Sequence, residues 1–284
     1  MAVTTAAAEP RPAVLRPPAW LTVPMAVGLA FILFWIVVAL TVDLWAPYEP
    51  LKTVARRLQP PSWTHWLGTD VIGRDVLVRT LYGARESLAI AVAVVAVAVT
   101  IGSALGAIAG FFGGVLGGAI MRLVDVTLSF PPVLLAMAVA ASLGAGLQNA
   151  AIAMVIVWWP VYARLMRGQV LEMKQRDHVE AAIAGGASRR RLLTKHILSL
   201  CWTPTLVNAT MDFGGVVLLA ASLSFIGLGA RPPTPEWGAM ISEGASSFYS
   251  WWIALGPGLA ILTVVLGFNF IGDGIRDFLD PRTD

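Results

Sequence analysis

The loop that decides the fold reads Glu180-Ala181-Ala182-Ile183-Ala184-Gly185-Gly186-Ala187-Ser188. It lies between segments that are apolar enough to cross a bilayer. Asp177 and Glu180 open a short helix, where negative charge suits the helix dipole. Its apolar residues follow the i, i+3, i+4, i+7 spacing of one helix face: Val179, Ala182, Ile183 and Gly186. The glycine pair predicts the end of this helix, and Ser188 predicts the N-cap of a second one. An ordered helix–Gly–helix loop between membrane spans indicates a docking site for another protein.

The composition is that of a protein embedded in lipid. Hydrophobic residues make up 57% of the 284 residues and charged residues only 13%, with a mean hydropathy of +0.74. A soluble domain has about a quarter charged residues. No charged residue occurs in 21–42, 87–121, 126–163 or 244–272. Since lone strands cannot satisfy their backbone in lipid, these blocks predict an all-α polytopic membrane protein.

Six transmembrane helices fit this pattern. We predict them at about 21–44, 87–112, 119–143, 150–162, 203–228 and 251–271, with Pro131-Pro132 inside the third. Residues 1–20 are rich in Ala and Pro and predict a disordered cytoplasmic tail. Residues 45–86 then form an extracytoplasmic loop, and residues 87–284 form the core domain with the other five transmembrane helices.

The orientation follows from the placement of Lys and Arg, which are enriched on the cytoplasmic side. With both termini inside, thirteen of the twenty cations fall in inside segments. The segment 164–200 alone has eight cations against three acids and is therefore predicted to be cytoplasmic. Because the cations follow membrane topology, the pI near 9.3 gives no reason to expect nucleic-acid binding. The single cysteine, Cys201, excludes an internal disulfide and a Cys-based metal cluster.

The first turn of the second loop helix carries three successive cations, Arg189, Arg190 and Arg191, which are unfavourable at this position. Positive charge there opposes the helix dipole. Something outside the helix is expected to compensate, either anionic lipid headgroups or an acidic partner surface.

Small residues recur every four positions in the second span, at Gly102, Gly106 and Gly110. This spacing lets a second helix approach closely. We favour packing within this chain over a subunit interface.

Motifs from Trp63 to the end of the chain occur in the order of a known family. They are the loop at 180–188; His65-Trp66-Leu67-Gly68-Thr69-Asp70; Gly73-Arg74-Asp75; Leu81-Tyr82-Gly83-Ala84-Arg85; Arg122 and Asp125 with Leu128-Ser129-Phe130-Pro131; Leu223-Ser224-Phe225-Ile226-Gly227-Leu228-Gly229; Trp237-Gly238; and Gly272-Asp273-Gly274-Ile275-Arg276-Asp277 with Asp280-Pro281-Arg282. The chain resembles the C-type permease subunit of the dipeptide/oligopeptide (and nickel) branch of ABC importers, in which the 180–188 loop is called the EAA loop.

The resemblance implies the type I ABC importer permease fold, no cofactor or metal, and a location in the plasma (inner) membrane. It also implies four partners besides membrane lipid: a second homologous permease subunit, two cytoplasmic ATPase subunits or domains, and an extracytoplasmic solute-binding protein. The residues expected to couple to the ATPase are Val179, Glu180, Ala181, Ala182, Ile183, Gly186, Arg189, Arg190 and Arg191. Those expected to face the binding protein are Arg231, Glu236 and Trp237.

Two positions depart from the family pattern. Ser199 stands where a proline usually follows the His-Ile-Leu run, so the second loop helix is expected to continue into the fifth span with a different bend. Ala220 stands where an acid often occurs. Asp212 lies about two turns earlier on the same span.

Polar residues inside spans are costly and mark candidate sites. Asp212, with Asn208 one turn before it, is expected to line the translocation pathway or to contact the partner permease. Asp125 is a weaker pathway candidate, since Arg122 is close enough on the same helix to pair with it.

The chain has no Walker A loop, because none of its three lysines follows a glycine. It is therefore expected to be a non-catalytic subunit, with ATP hydrolysis in its partners. The alternative is an ion-coupled secondary transporter that would use Asp125 and Asp212. Peptides are the default solute, whereas nickel chelates and other small solutes stay open.

Overall fold

The computed structural model describes residues 22–279, and these residues fold into helices without a named strand. The predicted tail at 1–20 lies outside the described residues. The helices in chain order are α1 (Val23–Trp45), α2 (Val76–Phe112), α3 (Gly114–Leu128), α4 (Pro132–Leu143), α5 (Leu147–Met173), α6 (Asp177–Ala184), α7 (Arg189–Arg191), a π-helical turn (Leu192–Ile197), α8 (Leu198–Phe225), α9 (Trp237–Ala245) and α10 (Trp252–Leu279).

Five helical segments are long and apolar enough to span a membrane: α1, α2, α5, the continuous stretch Arg189–Phe225, and α10. The third predicted span is present as two helices, α3 and α4, which are bent by 93°. The break falls at Pro131 and Pro132, because a proline lacks the N–H that continues a helix. With the bent pair counted as one span, the predicted number of six is reached.

Helices α2, α5, α8 and α10 extend several residues beyond their predicted spans. α2 begins at Val76, well before Ser87, because the Asp75 side chain caps it by accepting a hydrogen bond from Val78 N at 2.9 Å. Its first turns carry Arg79 and Arg85, whose charges are neutralised by acids elsewhere in the fold. α5 continues to Met173, past the predicted end of its span.

The pair α2–α5 forms the most extensive helix–helix contact of the fold. A Cβ added at Gly102 would lie 2.3 Å from the carbonyl oxygen of Trp159. A Cβ added at Gly106 would lie 2.3 Å from the carbonyl oxygen of Ala163. Contacts this short exclude any side chain. The expected packing of the glycines within this chain is therefore confirmed.

The ends of the bundle differ in what they carry. The end that holds residues 164–200, called here the basic end, gathers the end of α2, the end of α5, α6, α7 and the start of α8. The opposite end, called here the α9 end, holds residues 46–75 and 226–251. α8 and α5 run between the two ends, so that a movement at the basic end can be carried through the bundle.

Candidate functional site

The short helix predicted in the loop is present as α6. Asp177 and Glu180 lie in its first turn, and Gly185 is its C-cap. Gly186 follows with a φ of +77°, a left-handed conformation that favours glycine. Ala187 N then donates to Ala182 O at 3.0 Å, which completes a Schellman-type end. The predicted helix and its termination by the glycine pair are both confirmed.

α6 has one face towards the rest of the chain and one face exposed. Val179 is only 2% exposed and belongs to a cluster with Met166 and Val170 of α5 and with Ile197. Ala182 packs against the same cluster, whereas Ile183 is 57% exposed. Val179 therefore anchors α6 to the bundle. Of the residues predicted to couple to the ATPase, the exposed ones are Glu180, Ala181, Ile183, Gly186 and the arginines of α7.

The second loop helix begins where the sequence predicted. The Ser188 side chain caps α7 by accepting from Arg191 N at 3.4 Å. The three arginines of α7 are exposed. The helix then passes through the π-helical turn into α8. Where the two meet, Ser199 Oγ donates to the Lys195 carbonyl oxygen at 2.8 Å. With Ser199 in place of proline, α7 and α8 form one continuous rod that joins the loop to the bundle.

Asp212 lies on α8 and is half-buried. Its Oδ2 accepts a hydrogen bond from the Tyr162 hydroxyl of α5 at 2.7 Å, and the Trp158 indole is adjacent to the same carboxylate. Asn208 is exposed one turn before it, and its Nδ2 donates to the Pro204 carbonyl at 3.0 Å. Sequence reasoning identified Asp212 and Asn208 but missed the aromatic partners, because they come from another helix.

Asp125 pairs with Arg164 of α5 and not with Arg122, which corrects the pairing expected from the sequence. Both side chains of this ion pair are more than half exposed. The pair joins α3 to α5 on the surface of the chain, away from the Tyr162 hydroxyl.

Two of the three residues expected to face the binding protein are inside the fold. Trp237 is fully buried; its indole Nε1 donates to Thr80 O at 2.8 Å, and a Cβ at Gly83 would lie 2.7 Å from its ring. Glu236 is 1% exposed and caps α9. Burial raises the pKa of Glu236, although hydrogen bonds from Gly238 N and Ala239 N oppose the shift. Glu236 and Trp237 thus hold α9 in place, and only Arg231 is exposed.

A buried charge network at the α9 end was not foreseen from the sequence. Asp70 Oδ2 accepts from Arg79 Nη1 at 2.6 Å and also pairs with Arg74. Arg79 Nη1 donates in addition to Glu243 of α9 at 3.0 Å. The network forms part of the lining of an open cleft of about 500 Å³, with Arg231 also in its lining. It ties the start of α2 to α9.

We expect Arg79→Met to lower the free energy of unfolding by about 3 kcal/mol, because it leaves the buried carboxylate of Asp70 and the partly buried carboxylate of Glu243 with one cation fewer. The thermal unfolding midpoint in detergent measures this loss. Arg57→Met is the matched control, since Arg57 is exposed in the preceding loop. Equal midpoints for the two variants would contradict the assigned role of Arg79.

Comparisons with known proteins place this arrangement in a family. Residues 102–284 match the family described as binding-protein-dependent transport system inner membrane component. The chain is 47% identical over 264 residues to the dipeptide transport system permease protein of Escherichia coli K12, with 90% of this chain and 88% of the relative covered. It is 45% identical over 262 residues to the probable D,D-dipeptide transport system permease protein of the same strain, with 91% and 88% covered.

Two further comparisons agree. The glutathione transport system permease protein of Escherichia coli O6:K15:H31 is 45% identical over 255 residues, with 89% of this chain and 84% of the relative covered. Among solved structures, an inward-facing conformation of the MetNI methionine ABC transporter matches with a TM-score of 0.58 at 22% identity, over 72% of this chain and 97% of that chain. That structure supports the type I permease fold alone. By family match and by identity to these relatives, the chain belongs to the binding-protein-dependent transport system inner membrane components and is a permease subunit of an ABC importer.

Proposed function

We propose that this permease subunit forms half of a pathway for ATP-driven uptake of peptides. Its relatives are permeases for dipeptides, D,D-dipeptides and glutathione, which supports a peptide as the solute. The alternative of an ion-coupled secondary transporter has no support among these relatives.

The observation that carries the proposal is the docking of α6. Its inner face contacts α5 and the start of the α7–α8 rod, while Glu180, Ala181 and Ile183 are exposed for a partner. An ATPase subunit that grips this surface would move both α5 and α8. Since these helices run the length of the bundle, the movement would reach the pathway.

The length of the rod favours an acidic protein partner over lipid for the arginines of α7. The stretch Arg189–Phe225 has 37 residues, which at 1.5 Å per residue is about 55 Å. A bilayer is only about 40–45 Å thick including its headgroups. With Phe225 near one boundary, α7 extends beyond the headgroups of the other, where a cytoplasmic ATPase would meet it.

The orientation follows from the placement of Lys and Arg, and the remaining partners follow from the family. The basic end faces the cytoplasm, as do both termini, and residues 45–86 lie outside the cell with the α9 end. There the exposed Arg231 is the candidate contact for a solute-binding protein. A second homologous permease completes the pathway, and the exposed Asp125–Arg164 pair is a candidate contact with it.

The test is to purify the tagged chain from native membranes, identify its partners by mass spectrometry, and reconstitute the complex in proteoliposomes. We expect a second permease and ATPase subunits to co-purify, and peptide uptake to require ATP together with the binding protein. Uptake by this chain alone, driven by a proton gradient without ATP, would overturn the proposal.

A further inference from the structure

A stripe of polar and small positions follows one side of α8. Asn208, Asp212 and Gly215 succeed one another at i, i+4 and i+7, so that they share a helix face. Asn208 and Gly215 are exposed, and Asp212 is half-buried. A carboxylate that faced lipid at this depth would lose its solvation. The stripe therefore faces either the solute pathway or a second protein.

The charge of Asp212 has no counter-ion within the described part of the chain. None of the ion pairs among residues 22–279 includes it. Its hydrogen-bond partner Tyr162 is neutral and fully buried. A carboxylate held in place by a neutral donor, without a cation, is suited to receive a positive charge from outside the chain.

The groups around Asp212 select the kind of ligand. The Tyr162 hydroxyl donates to the carboxylate and is therefore not available to an anion, and the Trp158 indole lies next to the same carboxylate. One hydrogen of the Asn208 amide nitrogen is engaged with Pro204 O, and its amide oxygen is available as an acceptor. The ring of Trp158 lies beside Gly215, with Cζ2 3.5 Å from the position of an added Cβ. Two oxygen acceptors next to an aromatic ring match an ammonium group.

We propose that Asp212, Asn208 and Trp158 form one wall of a binding site for the ammonium group of the transported solute. The site rests on the proposed function, since the opposite wall would come from the second permease. It holds a cationic group by charge and by hydrogen bonds to oxygen, and the negative charge of Asp212 repels a carboxylate. A peptide would thus pass this point with its amino terminus on α8.

The first test measures access and charge at the stripe with thiol reagents. The background variant is Cys201→Ala, which removes the single, buried cysteine. Asn208→Cys in this background is treated, in the reconstituted complex, with methanethiosulfonates that carry either a trimethylammonium or a sulfonate group. Relative to a free thiol, we expect the cationic reagent to be favoured by at least about tenfold, as for a unit charge ~6 Å away in a partly hydrated site. Adding Asp212→Asn should remove that preference.

Leu206→Cys is the matched control, because Leu206 is exposed on another face of α8 and should be shielded by lipid from both reagents. If Asn208→Cys reacts with neither reagent in the resting and in the ATP-bound complex, the stripe is covered by another protein and the proposal is overturned. The same follows if the cationic preference survives Asp212→Asn.

The second test measures uptake of a dipeptide with a free amino terminus. We expect Asp212→Asn to lower the uptake rate about tenfold, and Asp212→Glu to retain most of it, with the ATPase still bound in both variants. Unchanged uptake in Asp212→Asn would overturn the proposal. The charge preference in the labelling test does not require transport, so the binding site can fail this test while ATP-driven uptake is intact. Failure of the proposed function would appear instead as no ATP-driven uptake in the Cys201→Ala complex.

Discussion

Glu180→Lys is expected to release the ATPase from the purified complex and to reduce ATP-driven uptake at least ~30-fold. Glu180 is exposed in the first turn of α6, beside the apolar surface of Ala181 and Ile183. Reversing a charge at the core of a protein–protein contact costs about 2–5 kcal/mol of binding free energy, and the lower value corresponds to that factor. The measurement is the amount of ATPase that is retained per permease on size-exclusion chromatography, together with uptake in proteoliposomes.

Damage to α6 itself cannot account for an effect of this size. A lysine in the first turn opposes the helix dipole by only about 0.3–1 kcal/mol. The anchor of the helix, Val179, is buried in the bundle and is not altered by this substitution. Gln175→Lys is the control, since it places the same cationic side chain at an exposed position just before α6. If both variants lose the ATPase equally, added charge in the loop is sufficient and the specific role of Glu180 is refuted.

Local signals explain why α6 and the start of α7 were predictable from the sequence. The i, i+3, i+4 spacing, the glycine pair and Ser188 act within a few residues of one another, and the structure uses each of them. The spacing could not predict which residues of the apolar face of α6 pack against the bundle and which are exposed to a partner. Val179 and Ile183 share one predicted side, yet the bundle end buries the first and leaves the second exposed.

The start of α2 was missed for the opposite reason. Arg79 and Arg85 read as loop residues in the sequence, because charges seldom enter a span. Their partners are distant in sequence: Arg79 bonds to Glu243 of α9, and Arg85 pairs with Asp43 at the end of α1. The burial of Trp237 likewise depends on space opposite Gly83. Such long-range contacts leave no periodic signal, so the network at the α9 end became visible only in the structure.

Gly106→Val is expected to prevent accumulation of folded permease, the largest effect on stability among these predictions. At Gly106 a Cβ would lie 2.3 Å from the Ala163 carbonyl oxygen and 2.9 Å from the Ala163 Cα, and backbone atoms cannot rotate away as a side chain can. The two helices would have to separate along the most extensive contact of the fold. Overpacking of this kind costs about 3 kcal/mol or more, a large fraction of a typical stability of about 5–15 kcal/mol.

The yield of monodisperse protein in detergent measures this effect, and Gly118→Val is the matched control. Gly118 lies within α3, and no neighbouring atom lies within 4 Å of an added Cβ. The same substitution there should leave the yield unchanged, because valine is no worse than glycine in a helix. The result also distinguishes between the two possible roles of Gly102, Gly106 and Gly110. If Gly106→Val instead folds normally but fails to assemble with the second permease, these glycines serve a subunit interface, and close packing against α5 is not what requires glycine at this position.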